Sequence, residues 1–201
     1  MTITLVASIP TAYAVARLGV SANFLTLFVV LVGLSRSIPP AVFMPATYEV
    51  LYRYGLVDSY LGISLAYQIY TVPLALWLLT AFSMELDPDL ERAARVGGAG
   101  PVARFLRIYL PAVAPGVVAV ALLSAAELYG EYLYASVLLS EEHQTVALLV
   151  GRLQVSEFRS ERNVIGAASV VTTIPMVAVV FFAARSRKYL ALGTGGRKGA
   201  A

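Results

Sequence analysis

The sequence predicts an all-α membrane protein, and three observations carry that prediction. Hydrophobic residues make up 59% of the 201-residue chain and charged residues 13%, whereas soluble domains sit at about half apolar and a quarter charged. Mean hydropathy is correspondingly high, +0.76. The apolar residues gather in runs near bilayer-spanning length. Finally, lysine and arginine segregate between alternate loops, as they do where loop charge sets the orientation of a bundle.

The elements follow in order. The opening residues, MTITLVASIPTAYAVARLG, are apolar from Ile3 to Ala16, shorter than the roughly 17–25 residues a spanning helix needs. No basic residue precedes that run, which argues against a cleavable signal peptide. It reads either as a half-inserted segment or as the second half of a span that begins upstream of Met1. Residues 22–46 contain FLTLFVVLVGL and then Pro39-Pro40, which should kink or end the helix. Residues 47–60 are aromatic-rich and mixed, as in an interfacial piece. Residues 61–83 form a span with Pro73 inside it, 112–139 another, and 163–184 a last one with Pro175. Proline is tolerated within spans because neighbouring helices and hydroxyl side chains satisfy the freed carbonyls. The result is about five spans in a bundle of bent helices.

Orientation follows from the basic residues. Arg17, Arg92, Arg95, Arg104, Arg107, Arg185, Arg187, Lys188, Arg197 and Lys198 fall on one side, and Arg36, Arg53, Arg152, Arg159 and Arg162 on the other. The richer side should face the cytoplasm. That gives a transmembrane domain over 1–187 with a cytoplasmic loop at 85–110, and a basic cytoplasmic tail at 188–201. The net charge of +3 is small, and the basic residues flank apolar runs without forming one stripe, so nucleic acid is not an expected partner. With no cysteine, disulfides and thiolate metal sites are excluded.

The charged loop is the most informative stretch: LERAARVGGAGPVARFLRIYLP, Leu90 to Pro111. Asp87-Pro88-Asp89 is a helix start signal, with acids near the positive helix end. Leu90, Ala93, Ala94 and Gly97 fall on one small face that permits close approach to another backbone. Gly97-Gly98 then ends the helix. Pro101 opens a second helix with Val102, Phe105, Leu106 and Ile108 at helical spacing, which Leu110-Pro111 closes at the membrane surface. Such a knuckle is either an interfacial loop lying on headgroups or a docking element that passes force to the bundle.

This stretch resembles the E-A-A-x3-G-x9-I-x-L-P loop of ABC importer permeases. Ala93, Ala94, Gly98, Ile108, Leu110 and Pro111 stand in register with it, while the glutamate position is Arg92, preceded by Glu91. In the family that acid helps seat the loop in a cleft of the ATPase, so Arg92 alters the ion pair and leaves the helix–glycine–helix shape. AYAVAR (12–17), SIPP (37–40), YGLVDSYLGISLAY (54–67), VPLALWLLTAF (72–82) and YGEYLYASVLLS (129–140) are similar to the second permease of maltose-type carbohydrate importers. There AYAVAR closes the second of six spans, so Met1 would fall inside that span. The resemblance implies a type I importer transmembrane domain in the inner membrane and a sugar or oligosaccharide as substrate. Its partners would be a second permease, two ATP-binding subunits docking on 85–110, an extracytoplasmic binding protein reaching the loops around 47–60 and 140–162, and membrane lipid. ATP and magnesium would be bound by the ATPase, with no cofactor in this chain. The same architecture also serves polyamines and other small solutes, and an ion-coupled secondary transporter is a further alternative.

Candidate substrate residues come from the spans. Glu127 and Glu131 lie four apart on one helix face, and a bare carboxylate in hydrocarbon should face a cavity, a partner or water. Sugar hydroxyls suit such acceptors, with Tyr129, Tyr132 and Tyr134 as stacking surfaces; Glu131 alternatively sits solvated at the outer interface. Gln68 and Tyr70, with Tyr67 and Thr71, give the 61–83 span a polar stripe that either lines the pathway or makes interhelical hydrogen bonds. Arg36 should snorkel to the outer surface, and His143 reads as an outer-loop surface residue. The tail GTGGRKGAA lacks the strand, helix and hydroxyl residue of a phosphate loop. No nucleophile–base arrangement or metal spacing supports catalysis.

Overall fold

Every regular element in the computed structural model is helical; it describes residues 1–17, 20–155 and 162–185. Helix α1, Thr2–Arg17, packs along α5, Gln68–Glu85, in the most extensive helix contact among those residues. The reason is small side chains at four-residue intervals. Thr4, Ser8 and Ala12 are buried on α1, and Thr71, Ala75 and Leu79 on α5. Small residues let two backbones approach where no water is available to drive apolar association. Thr4 Oγ1 lies 2.8 Å from Thr71 Oγ1 and donates to Gln68 Oε1 at 2.9 Å, which registers the pair.

Helix α2, Ala22–Ser37, starts on Ser21, whose hydroxyl accepts from Phe24 N–H at 3.3 Å. It ends where predicted, at Pro39-Pro40: Ile38 is extended, as residues before proline tend to be, and a 3-10 turn Pro40–Phe43 follows. The chain turns by 88° there, so α3, Met44–Arg53, leaves the axis of α2. A second bend of 47° separates α4, Tyr60–Ala66, from α5. Pro73 sits within α5 and is not the site of that bend, which falls at Tyr67.

After α6, Pro88–Val96, a single helix of 29 residues, α7, runs from Pro101 to Tyr129. This corrects two expectations. The second helix of the knuckle does not close at Leu110-Pro111 but continues into the bundle, and the span ends at Tyr129, not at 139. Pro111 leaves its mark in another way: it cannot donate a hydrogen bond, and its ring crowds the carbonyl four residues back. The helix answers with a π turn over Phe105–Tyr109, in which Leu110 N–H bonds the Phe105 carbonyl five residues back. Gly116 lets α7 approach α5, because a Cβ there would fall 2.7 Å from Phe82 Cγ.

Beyond Tyr129 the chain breaks and forms α8, Leu133–Leu138, then α9, Val146–Val155, and α10, Arg162–Arg185. Alone, only α7 is long and apolar enough to cross a membrane among the described residues; the two bent pairs qualify if each is one span. The core has two parts. Ala12, Ala75, Leu79, Tyr109, Val113 and Val120 form the bundle core of α1, α5 and α7. Leu51, Ile63, Tyr134, Leu138 and Leu148 form a second cluster from α3, α4, α8 and α9 at the opposite end from the knuckle. The predicted loops around 47–60 and 140–162 therefore meet in their described parts; residues 156–161 and the tail 188–201 lie outside the described residues.

Candidate functional site

The knuckle begins on Asp87, whose side chain accepts from Asp89 N–H at 2.9 Å, with Pro88 in the first turn of α6. It ends in a Schellman closure: Ala99 N–H reaches the Ala94 carbonyl at 2.9 Å and Gly98 N–H the Arg95 carbonyl at 3.0 Å. That closure places one residue in the left-handed region, and Gly98 takes it at φ 82°. The helix–glycine–helix shape is thus built by local hydrogen bonding.

The face that α6 turns to the bundle is only partly the small face read from the sequence. Leu90 and Ala93 are exposed, while Glu91 and Ala94 are half-buried. Glu91 points back at the end of α1. Its Oε1 lies 3.4 Å from Arg17 Nε, with only 9% and 12% of the Arg17 and Glu91 side chains exposed, and Oε2 accepts from the Tyr13 hydroxyl at 3.1 Å. Arg17 also donates through Nη2 to the Leu86 carbonyl at 2.7 Å, the residue before the α6 cap. Arg17 therefore meets the end of α5 through Leu86 and α6 one turn along through Glu91.

Beneath Glu91 lies an aromatic floor. Tyr13 meets Phe105 edge-on at 5.2 Å and Tyr109 at 4.6 Å. Tyr109 is buried, with its hydroxyl 2.7 Å from Ser83 Oγ on α5. The π turn makes this possible by carrying Phe105 and Tyr109 in stacked register, 5.6 Å apart. Ile108 and Leu110 are half-buried, and Leu110 packs with the bundle core. Outward, the knuckle shows Arg92, paired at 2.8 Å with Asp89 in an exposed pair, together with Val96 (91% exposed) and Val102. Pro111 is exposed.

At the other end of the bundle, Arg36 does not simply snorkel. Its Nη1 lies 2.8 Å from Glu127 Oε1 and donates to the Tyr70 carbonyl at 3.0 Å, joining α2, α7 and α5. Glu131 is buried at 7% exposure, which corrects the solvated alternative. It accepts from Tyr134 N–H at 2.9 Å and Ala135 N–H at 3.3 Å, capping α8, and from the Tyr70 hydroxyl at 3.3 Å. Gln68 is committed to Thr4 and to the Ser64 carbonyl. The Tyr129 hydroxyl donates to the Thr172 carbonyl, tying α7 to α10. Tyr129 and Tyr132 line a groove of 510 Å³ with Val150, Ser169 and Thr173.

At the end of the bundle away from the knuckle, Asp58 joins the loops around 47–60 and 140–155. Its carboxylate accepts from Ser140 N–H at 2.8 Å and lies 3.2 Å from His143 Nδ1, while Asp58 N–H bonds the Leu138 carbonyl. The Ser140 N–H, more than the neighbouring imidazole, holds its pKa below the usual carboxylate value. No signal in the sequence pointed to Asp58, whose φ of 57° is uncommon outside glycine. Arg17 as the partner of Glu91 was also missed; the available signal was an arginine ending an apolar helix on the same side as an acidic helix start. Among the described residues, no group of His, Asp and Glu is gathered as metal ligands would be.

Comparison with known proteins brings these features together. Residues 5–194 match the family model described as "Binding-protein-dependent transport system inner membrane component". An ABC transporter permease protein of Streptomyces antibioticus is 32% identical over 92% of this chain and 80% of its own length. A trehalose transport system permease protein of Mycobacterium tuberculosis is 31% identical over 94% of this chain and 68% of its own length. A trehalose/maltose transport system permease protein of Thermococcus litoralis is 31% identical over 90% and 64%. Among solved structures, a bacterial ABC transporter involved in the import of the acidic polysaccharide alginate matches with a TM-score of 0.72 at 20% identity, covering 92% of this chain and 69% of that one. At that identity the likeness speaks to the fold.

Proposed function

Because the chain belongs to the binding-protein-dependent transport system inner membrane component family, we propose that it forms half of a translocation pathway for a sugar or oligosaccharide, driven by ATP hydrolysed on partner subunits. A second permease completes the pathway, two ATP-binding subunits dock on the knuckle from the cytoplasm, and a binding protein delivers substrate at the other end. The sugar assignment rests on the relatives named for trehalose and maltose transport. The drive from outside the chain rests on the knuckle itself.

That knuckle carries the reading. A loop lying passively on headgroups has no need of a carboxylate turned inward onto Arg17 and Tyr13, or of the aromatic floor carried by the π turn beneath it. The exposed face of α6 presents Arg95 and Val96 beside the Arg92–Asp89 pair, and it suits a cleft with an apolar floor and a polar rim. Closure of the ATP-bound subunits moves α6, and the bundle passes between two arrangements whose balance is set at that distant site.

The substrate path runs past Glu127, Tyr70 and Tyr129. Glu127 and Arg36 offer an acceptor and a donor to hydroxyl groups, and the tyrosine rings offer flat apolar faces. Glu131 and Gln68 serve the path indirectly, by holding the backbone of α8 and the α1–α5 pair. The test is ATP-dependent uptake of labelled disaccharides by membrane vesicles holding the whole complex. Uptake without an ATPase partner, driven by an ion gradient alone, refutes the reading.

A further inference from the structure

Glu91 of the knuckle points back at the bundle. Glu91 reaches the Arg17 guanidinium at 3.4 Å and the Tyr13 hydroxyl at 3.1 Å, and Arg17 holds the Leu86 carbonyl at 2.7 Å. Covalently, α6 is joined to α5 through Leu86-Asp87 and to α7 through the glycine turn. Among the described residues, the polar contacts that join it to α1 all run through Glu91. We infer that Glu91 and Arg17 are positioning residues that latch the coupling helix to α1, so that a displacement of α6 is delivered to α1 and α5 as one body. This rests on the reading of the chain as an ATP-driven permease and adds to it the route by which force enters.

Three observations converge. The pair is nearly shielded from water, where an ion pair is little screened by salt. It is anchored on both sides of the turn into α6, because Arg17 holds the Leu86 carbonyl at the end of α5 and pairs with Glu91 in the first turn of α6. And α1 is not a loose element: it lies on α5 through the small-residue face and the Thr4–Thr71–Gln68 hydrogen bonds. Arg92, by contrast, is exposed and paired only with Asp89 of its own turn. The neighbouring residues Glu91 and Arg92 thus divide the work, one facing the bundle and one facing out.

The test is Glu91→Gln in the assembled complex, with uptake and ATP hydrolysis measured on the same vesicles. The latch predicts that the ATP-binding subunit still co-purifies while sugar taken up per ATP hydrolysed falls at least tenfold. A merely structural role lowers both in proportion to the protein present, and unchanged uptake per ATP or loss of the ATP-binding subunit each overturns the inference. Arg17→Gln must reproduce the uncoupling from the other helix. Should neither variant accumulate, the exchange Arg17→Glu with Glu91→Arg decides: regained accumulation and coupling support the latch, and failure to regain them overturns it. Failure of the wild-type complex to show ATP-dependent uptake would refute the functional reading instead.

Discussion

Replacing Glu131 with alanine separates a structural carboxylate from a substrate-binding one. In the structure its oxygens accept from Tyr134 N–H, Ala135 N–H and the Tyr70 hydroxyl, at 2.9, 3.3 and 3.3 Å. Tyr134 and Ala135 are both fully buried, so the alanine variant leaves two backbone donors without an acceptor or water. A lost helix cap costs about 0.5–2 kcal/mol, and each buried donor left unsatisfied about 1–3 kcal/mol. These overlap, and a combined cost of about 2–4 kcal/mol is reasonable, a roughly 30- to several-hundred-fold shift toward the opened state of α8. Hydrogen–deuterium exchange at the Tyr134 and Ala135 amides reads that shift directly. Glu131→Gln keeps one acceptor oxygen and leaves one of the two donors unsatisfied, so its amides should exchange less fast than in the alanine variant, with a cost of about 1–3 kcal/mol. Unchanged exchange in the alanine variant would refute the capping argument. Loss of uptake in the glutamine variant with protection intact would show that the carboxylate meets substrate.

The other predictions concern the turn, the helix contact and the outer clamp. Gly98→Ala meets no neighbouring atom but holds an alanine at φ 82°, so it should cost about 1–2 kcal/mol from backbone strain alone, read as a lowered melting temperature. Gly98→Pro should abolish uptake while membrane insertion persists. Gly116→Val drives a side chain into Phe82 and should destabilise by about 1–3 kcal/mol, partly relieved by Phe82→Ala in a double-mutant cycle. Asp58 has a lowered folded pKa, so the stability it contributes is present above the unfolded value and is lost as pH falls through the lower folded one. Protease resistance of the 56–60 and 139–143 segments should therefore persist through the ordinary carboxylate range, and Asp58→Asn should remove that pH dependence.

Much of the fold was legible because its signals are local. The Pro39-Pro40 stop, the Asp87-Pro88 start and the glycine turn each act within a few residues, and each is found in place. The helical class followed from composition. What could not be read was decided by contacts distant in sequence. Glu91 lies 74 residues from Arg17 in the chain, the difference of their numbers, and no periodicity shows which way an acid on a short helix will turn. The end of α7 was placed ten residues too late because α8 is as apolar as a span; the break is set by the Tyr129-Gly130 cap and by Glu131 capping the next helix. Pro111 read as a terminator, but inside a bundle its missing bond was absorbed by the π turn.

The proposed function requires the knuckle to be a handle driven from the cytoplasm, and one measurement reaches that most directly. The chain has no cysteine, so Val96→Cys, at a position 91% exposed at the tip of the knuckle, gives a single thiol. A membrane-impermeant maleimide should label it in inside-out vesicles alone, and bound ATP-binding subunits should protect it. Labelling from the outer face of intact cells, or no protection by the assembled complex, would contradict the account.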